Sequence, residues 1–192
     1  MDRQINLMDV IKLYLKRWWI IVIAMVICAV LSGIYTTGFV TPMYTSYGTL
    51  YTENTSDILN SDVTGVDYDT IMVRKELAGT YAEILSSNTF MEMVAKQSDL
   101  GYSATDIRSM VSMTVKEETE IVILSVTSVD PNHSHIIAQK ALDIAPKFIS
   151  EIVEGGSVKI LDQPVYSEEP SSPNVVRNIE VGAILGILLS MA

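Results

Sequence analysis

Hydrophobic and polar positions separate along this chain on two scales. On the longer scale, residues 18–40, WWIIVIAMVICAVLSGIYTTGFV, carry no charge. At about 1.5 Å rise per residue, a helix over this run crosses a hydrocarbon core of roughly 30 Å. A second charge-free run, 181–192, is shorter than the about 20 apolar residues that a crossing takes. A signal peptide has an apolar region of about 7–15 residues and a small-residue cleavage site. The run at 18–40 is longer, and SGIYTTGFVTPMY offers no Ala-x-Ala. The pattern therefore predicts a retained transmembrane helix over 18–40 and the start of a second over 179–192.

On the shorter scale, the stretch between these runs alternates like a mixed domain. YTSYGTLYT, 44–52, places Tyr and Thr at strand spacing. ENTSDILNSDVTGVDYD is polar and aperiodic, which reads as a loop. Ile71, Leu77, Tyr81, Ile84 and Leu85 then recur near helical spacing. NTFMEMVAKQS follows with Asn88 as a candidate N-cap, and SATDIRSM carries a capping-box pattern in Ser103 and Asp106. VSMTVKE and EIVILSVTS read as two strands around an acidic turn at 117–120, the second central because it is β-branched and nearly all apolar.

DPNHSHIIAQKALDIAPKFISEIVEGG is the strongest helix signal in this region. Asp130 caps it, Pro131 takes the first helical position, and Gly155 and Gly156 end it. Pro146 predicts a kink one turn earlier, near 141–142. Ile136, Ile137, Ala141, Ile144 and Phe148 form its expected buried face. SVKILDQ is a last strand. The prediction is an α+β domain, β-α-α-α-β-β-α-β, with first and last strands adjacent in one sheet, between two transmembrane helices. The second of these is cut short at Ala192. The domains follow: a tail over 1–17, the first helix over 18–40, the α+β domain over 41–178 with a Pro/Ser-rich lead-in at 163–178, and the second helix from 179.

Charge orients this arrangement. The tail holds four Lys/Arg against two Asp/Glu, with Lys12, Lys16 and Arg17 directly before the helix. Positive flanks stay cytoplasmic, and Trp18 and Trp19 fit an interfacial aromatic anchor. The domain is then extracytoplasmic and the protein multi-pass in the cell membrane. Residues 41–177 hold nine Lys/Arg and twenty Asp/Glu, and account for the net charge of −10. So acidic a domain excludes direct nucleic-acid binding, which needs a basic footprint. It also argues against lying flat on an anionic leaflet. The single Cys28 falls mid-helix, where it serves as a small packing residue.

Candidate chemistry is sparse. His133 and His135 lie two apart, about 200° around a helix, and cannot chelate one ion from one face. KEETE is an acid cluster at a hairpin tip, where charge is usually solvated. No phosphate loop or nucleophile elbow occurs, and no cofactor or metal is expected. Met110 and Met113 read as core gap-fillers. Gly182 and Gly186, four apart, allow close packing of a membrane helix. Pro170 and Pro173, the latter restricting Ser172, stiffen the lead-in. Arg177 sits just outside the apolar run, at the membrane interface.

Four stretches together resemble one family. They are INLMDVIKLYLKRWWIIV, TPMYTSYGTLYT, IVILSVTSVDPNHSHIIAQKALDIAPKFI and ILDQPVYSEEPSSPNVVRNIEVGAILG. In that order they resemble the polysaccharide co-polymerase, or Wzz-type chain-length determinant, family. The short domain and the PSSPN lead-in are more similar to its Gram-positive capsule subgroup. The resemblance implies a non-enzymatic, oligomeric (ring) membrane scaffold that controls the length and export of a capsular or extracellular polysaccharide. It implies three partners: a polymerase, a lipid-linked glycan, and a cytoplasmic bacterial tyrosine kinase that the protein activates. Kinase-contacting residues lie beyond Ala192 and have no place on this sequence. The alternative is an extracytoplasmic phosphodiesterase that cleaves a lipid-pyrophosphate-linked glycan precursor. It would use acids such as Asp67, Asp69 and Glu83 with Arg74 or Arg108.

Overall fold

The structure is a computed structural model describing residues 18–54, 68–117 and 119–191. The chain divides into two compact units. Met43–Ser171 is one. The other joins Met1–Pro42 to Ser172–Ala192. The tail at 1–17, with Lys12, Lys16 and Arg17, lies outside the described residues, as do residues 55–67, where a loop is expected, Glu118 and Ala192.

Met43–Ser171 is a mixed α/β unit. Its elements run β1 (Tyr44–Asn54), α2 (Tyr68–Leu85), α3 (Asn88–Ser98), α4 (Ala104–Met110), β2 (Val111–Val115), β3 (Ile121–Ser128), α5 (Pro131–Ile152) and β4 (Gly156–Asp162). All strand pairs are antiparallel, in the order β2-β3-β1-β4. The first and last strands are therefore neighbours, and β3 is internal. β1 extends past Thr52 into part of the predicted loop, because Glu53 pairs with Ser157 in register and its carboxylate meets Lys159 Nζ at 2.8 Å.

One face of the sheet is buried. Period-2 alternation sends Ser46, Gly48, Leu50 and Thr52 of β1, and Val122, Leu124, Val126 and Ser128 of β3, to the covered side. β3 looked apolar on both faces. Its Ile121 and Ile123 are nevertheless only half-buried, since the helices cover one side alone.

α5 lies across β1, β3 and β4. It buries Ile137, Ala138, Ala141, Leu142, Ala145, Phe148 and Ile149. Ile136, expected in this stripe, is only partly buried. Pro146 lies inside α5, which continues past it to Ile152. Phe90 of α3 meets Phe148 with ring centroids 5.2 Å apart. Met110 and Met113 pack against this core.

Gly48 marks a close crossing on β1. A Cβ there would lie 2.5 Å from Leu142 Cδ1 and 2.8 Å from the Asp162 carbonyl oxygen. The register between β1 and β4 shifts at the next residues, Thr49 and Leu50.

Local signals set the helix ends. Asp130 accepts the Asn132 N–H at 2.8 Å, with Pro131 in the first turn of α5. Asp130→Ala should cost about 1 kcal/mol of domain stability, read by denaturant titration. At α4 the capping box is complete: the Ser103 hydroxyl accepts the Asp106 N–H, and the Asp106 carboxylate accepts the Ser103 N–H. The Ser103 hydroxyl, then its N–H, holds the Asp106 carboxyl below its ordinary pKa. α3 corrects one expectation. Its cap is Ser87, which accepts the Phe90 N–H, rather than Asn88. Asn88 is already helical, and its side chain instead accepts a hydrogen bond from Arg108 at 2.8 Å.

Candidate functional site

The unit containing the chain ends holds two helices, α1 (Trp18–Phe39) and α6 (Val175–Met191). α1 is long and apolar enough to cross a membrane, by length and composition. Its large side chains face outward, among them Ile20, Ile23, Val26, Ile27, Val30 and Leu31. In lipid such a surface needs no further cover. Both ends carry aromatic pairs. Trp18 and Trp19 meet edge-on at 5.5 Å, and Tyr35 stacks on Phe39 at 5.6 Å. The midpoints of the two pairs lie about 28 Å apart along the axis at helical rise, close to the roughly 30 Å of a hydrocarbon core between two interfacial aromatic belts. Tyr35 and Phe39 were not singled out from the sequence. Their i, i+4 spacing was the available signal.

α6 packs against α1 along a seam of small residues. On α1 the seam is Ala24, Cys28, Ser32 and Thr36. On α6 it is Asn178, Gly182 and Gly186. Both sets repeat every fourth residue, so each keeps to one helix face. A Cβ on Gly186 would lie 2.7 Å from the Ala24 carbonyl oxygen and 2.8 Å from Met25 Cα. One on Gly182 would lie 2.6 Å from Ser32 Cβ and 2.9 Å from the Cys28 carbonyl oxygen.

The seam also has a polar end. Ser32 Oγ donates to the Asn178 carbonyl at 2.7 Å, Asn178 Nδ2 donates to Thr36 Oγ1 at 3.2 Å, and Thr36 Oγ1 donates to the Ser32 carbonyl at 2.8 Å. Thr36 is buried. Hydroxyls that bond back to carbonyls within α1, or across to α6, satisfy themselves without water.

α6 begins at Val175, four residues ahead of the predicted start at 179. The charge-free run begins later than the helix because Arg177 and Glu180 are compatible with helical backbone. Asn174 caps it, its side chain accepting the Arg177 N–H at 3.0 Å. Arg177 is exposed.

The Pro/Ser-rich lead-in belongs partly to the α/β unit. From Gln163 to Ser171 it runs beside the start of β1 as a strap. The Val165 N–H donates to the Tyr47 carbonyl at 3.3 Å, and the Ser171 N–H to the Met43 carbonyl at 2.8 Å. Ser46 Oγ donates to the Val165 carbonyl at 2.8 Å, and the Thr45 and Ser171 hydroxyls meet at 2.7 Å. Pro164 is buried and Pro170 exposed. Ser172 is exposed, joined by a cis peptide to the half-buried Pro173.

Of the candidate hydrolytic residues, Arg108 and Glu83 have described side chains, and no hydrogen bond or ion pair joins these two. Arg108 donates to the Ser86 carbonyl and to Asn88 Oδ1, tying α4 to the α2–α3 corner. Glu83 is exposed on α2, which also carries Asp69 and Arg74; Asp67 lies outside the described residues. Among the described residues no group of three or more His, Cys, Asp or Glu is placed to hold a metal. His133 Nδ1 bonds Tyr102 Oη at 2.9 Å, whereas His135 meets the ring of Tyr166 edge-on at 5.9 Å.

Comparison with known proteins matches the family model of the chain length determinant protein, Wzz, over residues 3–98. The capsular polysaccharide biosynthesis protein CpsC of Streptococcus agalactiae is 26% identical over 187 residues, 97% of this chain and 80% of the relative. CpsC of Streptococcus pneumoniae is 25% identical over 185 residues, 96% of this chain and 79% of the relative. The capsular polysaccharide biosynthesis protein CapA of Staphylococcus aureus strain COL is 24% identical over 193 residues, 100% of this chain and 84% of the relative. The family match covers half the chain, from ahead of the apolar α1 through β1 to the end of α3, and the capsule proteins extend the likeness along the rest: this chain belongs to the Wzz chain length determinant family.

Proposed function

We propose that this protein is a non-enzymatic membrane scaffold that sets the length of a capsular or extracellular polysaccharide. The observation that carries the reading is family membership joined to an apolar α1 and a separate α/β unit. In this reading α1 and α6 are both membrane helices, sealed along the small-residue seam through Gly182 and Gly186. The positive tail, with Lys16 and Arg17, stays cytoplasmic, and Met43–Ser171 is extracytoplasmic. Arg177 and the Trp18–Trp19 pair sit at the membrane interfaces. Several copies assemble into a ring, within reach of a polymerase and its lipid-linked glycan. A cytoplasmic tyrosine kinase is the partner that the scaffold activates. Likeness to Gram-positive capsule proteins supports the glycan, and the resemblance to the capsule subgroup supports the kinase.

The proline-rich lead-in gives this reading a mechanical test. Pro170, Ser172 and Pro173 restrict backbone rotation between the α/β unit and α6. The strap's hold on β1 uses backbone and serine groups, so it does not need either proline. Changing both Pro170 and Pro173 to alanine should therefore leave the α/β unit folded and still shift the polymer length distribution. A gel of polymer lengths beside circular dichroism reads both. Normal dichroism with an unchanged distribution would show that the prolines play no part in length control. Deleting the whole protein tests the function itself: polymer of unaltered length in the deletion strain would sink it.

A further inference from the structure

We propose that the groove between β1 and the strap binds a short, uncharged segment of a glycan. The inference rests on the function proposed above, and adds to it a place and a charge preference. The groove is open to solvent along one side and offers about 530 Å³, within the volume range of small-molecule sites. Tyr47, Tyr166, Thr45, Ser167, Ser171 and Glu169 line it, with Val165 and Pro170.

Three observations point the same way. First, apolar surface is concentrated here. Among the described residues of the α/β unit, the exposed large apolar side chains are Tyr47, Val129, Ile152, Leu161, Val165 and Tyr166. Three of these six line this one groove. Tyr47 is 54% exposed and Tyr166 42% exposed. A pyranose ring offers a face of C–H groups, and tyrosine rings cover such a face while their hydroxyls stay polar.

Second, the groove is held open before any ligand arrives. Tyr166 rests edge-on against His135, and the strap behind it is fastened by the bonds from Ser46 and Val165 to its neighbours. A wall already fixed in place loses little freedom when a ligand binds.

Third, the polar groups suit a neutral sugar. Thr45, Ser167 and Ser171 line it with hydroxyls whose protons are engaged within the protein, among one another, with Thr127 and with the Met43 and Glu169 carbonyls, so their oxygens are left as acceptors for sugar O–H groups. Among the described residues, Glu169 is the single charged one in the lining, and no Lys or Arg accompanies it. A uronate or a bridging phosphate would face that carboxylate with no cation to pair it, which costs affinity. Hydroxyl-bearing neutral sugars meet no such penalty, and a carboxylate is a strong acceptor for their O–H groups.

The test uses the full chain in lipid nanodiscs. Saturation-transfer NMR would be recorded with maltohexaose and chitohexaose as neutral probes and hexagalacturonate as the anionic one. Transfer is expected to a neutral probe and not to hexagalacturonate. Tyr47→Ala and Tyr166→Ala should each weaken binding by about tenfold, and Tyr47→Phe should retain it. Circular dichroism reports folding, and because Tyr166 lies on the strap outside the strands, Tyr166→Ala reads the groove even if Tyr47→Ala unfolds β1. Transfer to no neutral probe, equal binding of hexagalacturonate, or binding indifferent to Tyr166→Ala would overturn the proposal. So would alanine variants that change only the sedimentation of the protein, which would make this face a contact between copies. If deleting the protein alters polymer length while Tyr47→Ala and Tyr166→Ala leave it at wild-type values, the groove fails and the proposed function stands.

Discussion

Leucine in place of Gly186 should drive α1 and α6 apart. A Cβ at this position already falls 2.7 Å and 2.8 Å from backbone atoms of Ala24 and Met25. Backbone atoms in a helix cannot rotate aside as a side-chain end can. The three further carbons of leucine must therefore be accommodated by moving a helix. Overpacking of this kind typically costs about 1–3 kcal/mol, and the upper end is expected where the obstacle is backbone. Gly38→Leu is the control, because nothing lies within 4 Å of a Cβ there. Both tryptophans of the chain, Trp18 and Trp19, are on α1. Their fluorescence during thermal unfolding in nanodiscs thus reports on the helix pair. The Gly186 variant should melt well below the wild type and the Gly38 variant close to it. Equal midpoints for the two variants would mean that the close approach is not what holds the pair. Asn178→Ala removes only the side-chain bond to Thr36 and keeps the carbonyl that accepts from Ser32, so it should cost less, about 0.6 kcal/mol, the average for hydrogen bonds between membrane helices.

The α/β unit has its own weak point at Phe90. This ring is wholly buried and lies against Phe148, which joins α3 to the helix that covers the sheet. Phe90→Ala removes the ring and leaves a cavity, at a cost of about 3–5 kcal/mol. A domain of this kind is stable by about 5–15 kcal/mol in total. The variant should therefore unfold at much lower denaturant when followed by far-ultraviolet circular dichroism. The slope of the transition should stay the same, because the surface exposed on unfolding is nearly unchanged. A midpoint within experimental scatter of the wild type would show that α3 is not part of the cooperative core.

Much of this architecture is written in short-range pattern. Asp130 before Pro131, and Ser103 three residues before Asp106, are caps whose partners lie within one turn. Nothing beyond that turn is needed to form them. The Tyr/Thr alternation of β1 and the β-branched, nearly all-apolar run of β3 mark them as strands, and the length and composition of α1 suffice to mark it as a membrane-crossing candidate. Where the reading went astray, the deciding contact was distant in sequence. Asn88 has the composition of a cap but is occupied by Arg108, twenty residues on. Glu53 looked like loop, and became strand because β4 supplies Ser157 and Lys159 opposite it.

The site features divide in the same way. Gly182 and Gly186 could be seen as a pair at fourfold spacing on one helix. Their partners Ala24, Cys28 and Ser32 lie more than 140 residues away, and no spacing rule links the two sets. The lead-in could be recognised as stiff from Pro170 and Pro173. That its first part is fastened along β1 depended on Ser46, Met43 and Thr45 finding Val165 and Ser171, at separations near 120 residues. Sequence alone determined an apolar helix, an acidic mixed α/β domain, helix caps and a family, because these are carried by periodicity, composition and contacts within a turn. Tertiary structure decided which faces meet, where the strap lies and which tyrosines share a groove, because those depend on long-range packing that places residues together without leaving any local trace in their order.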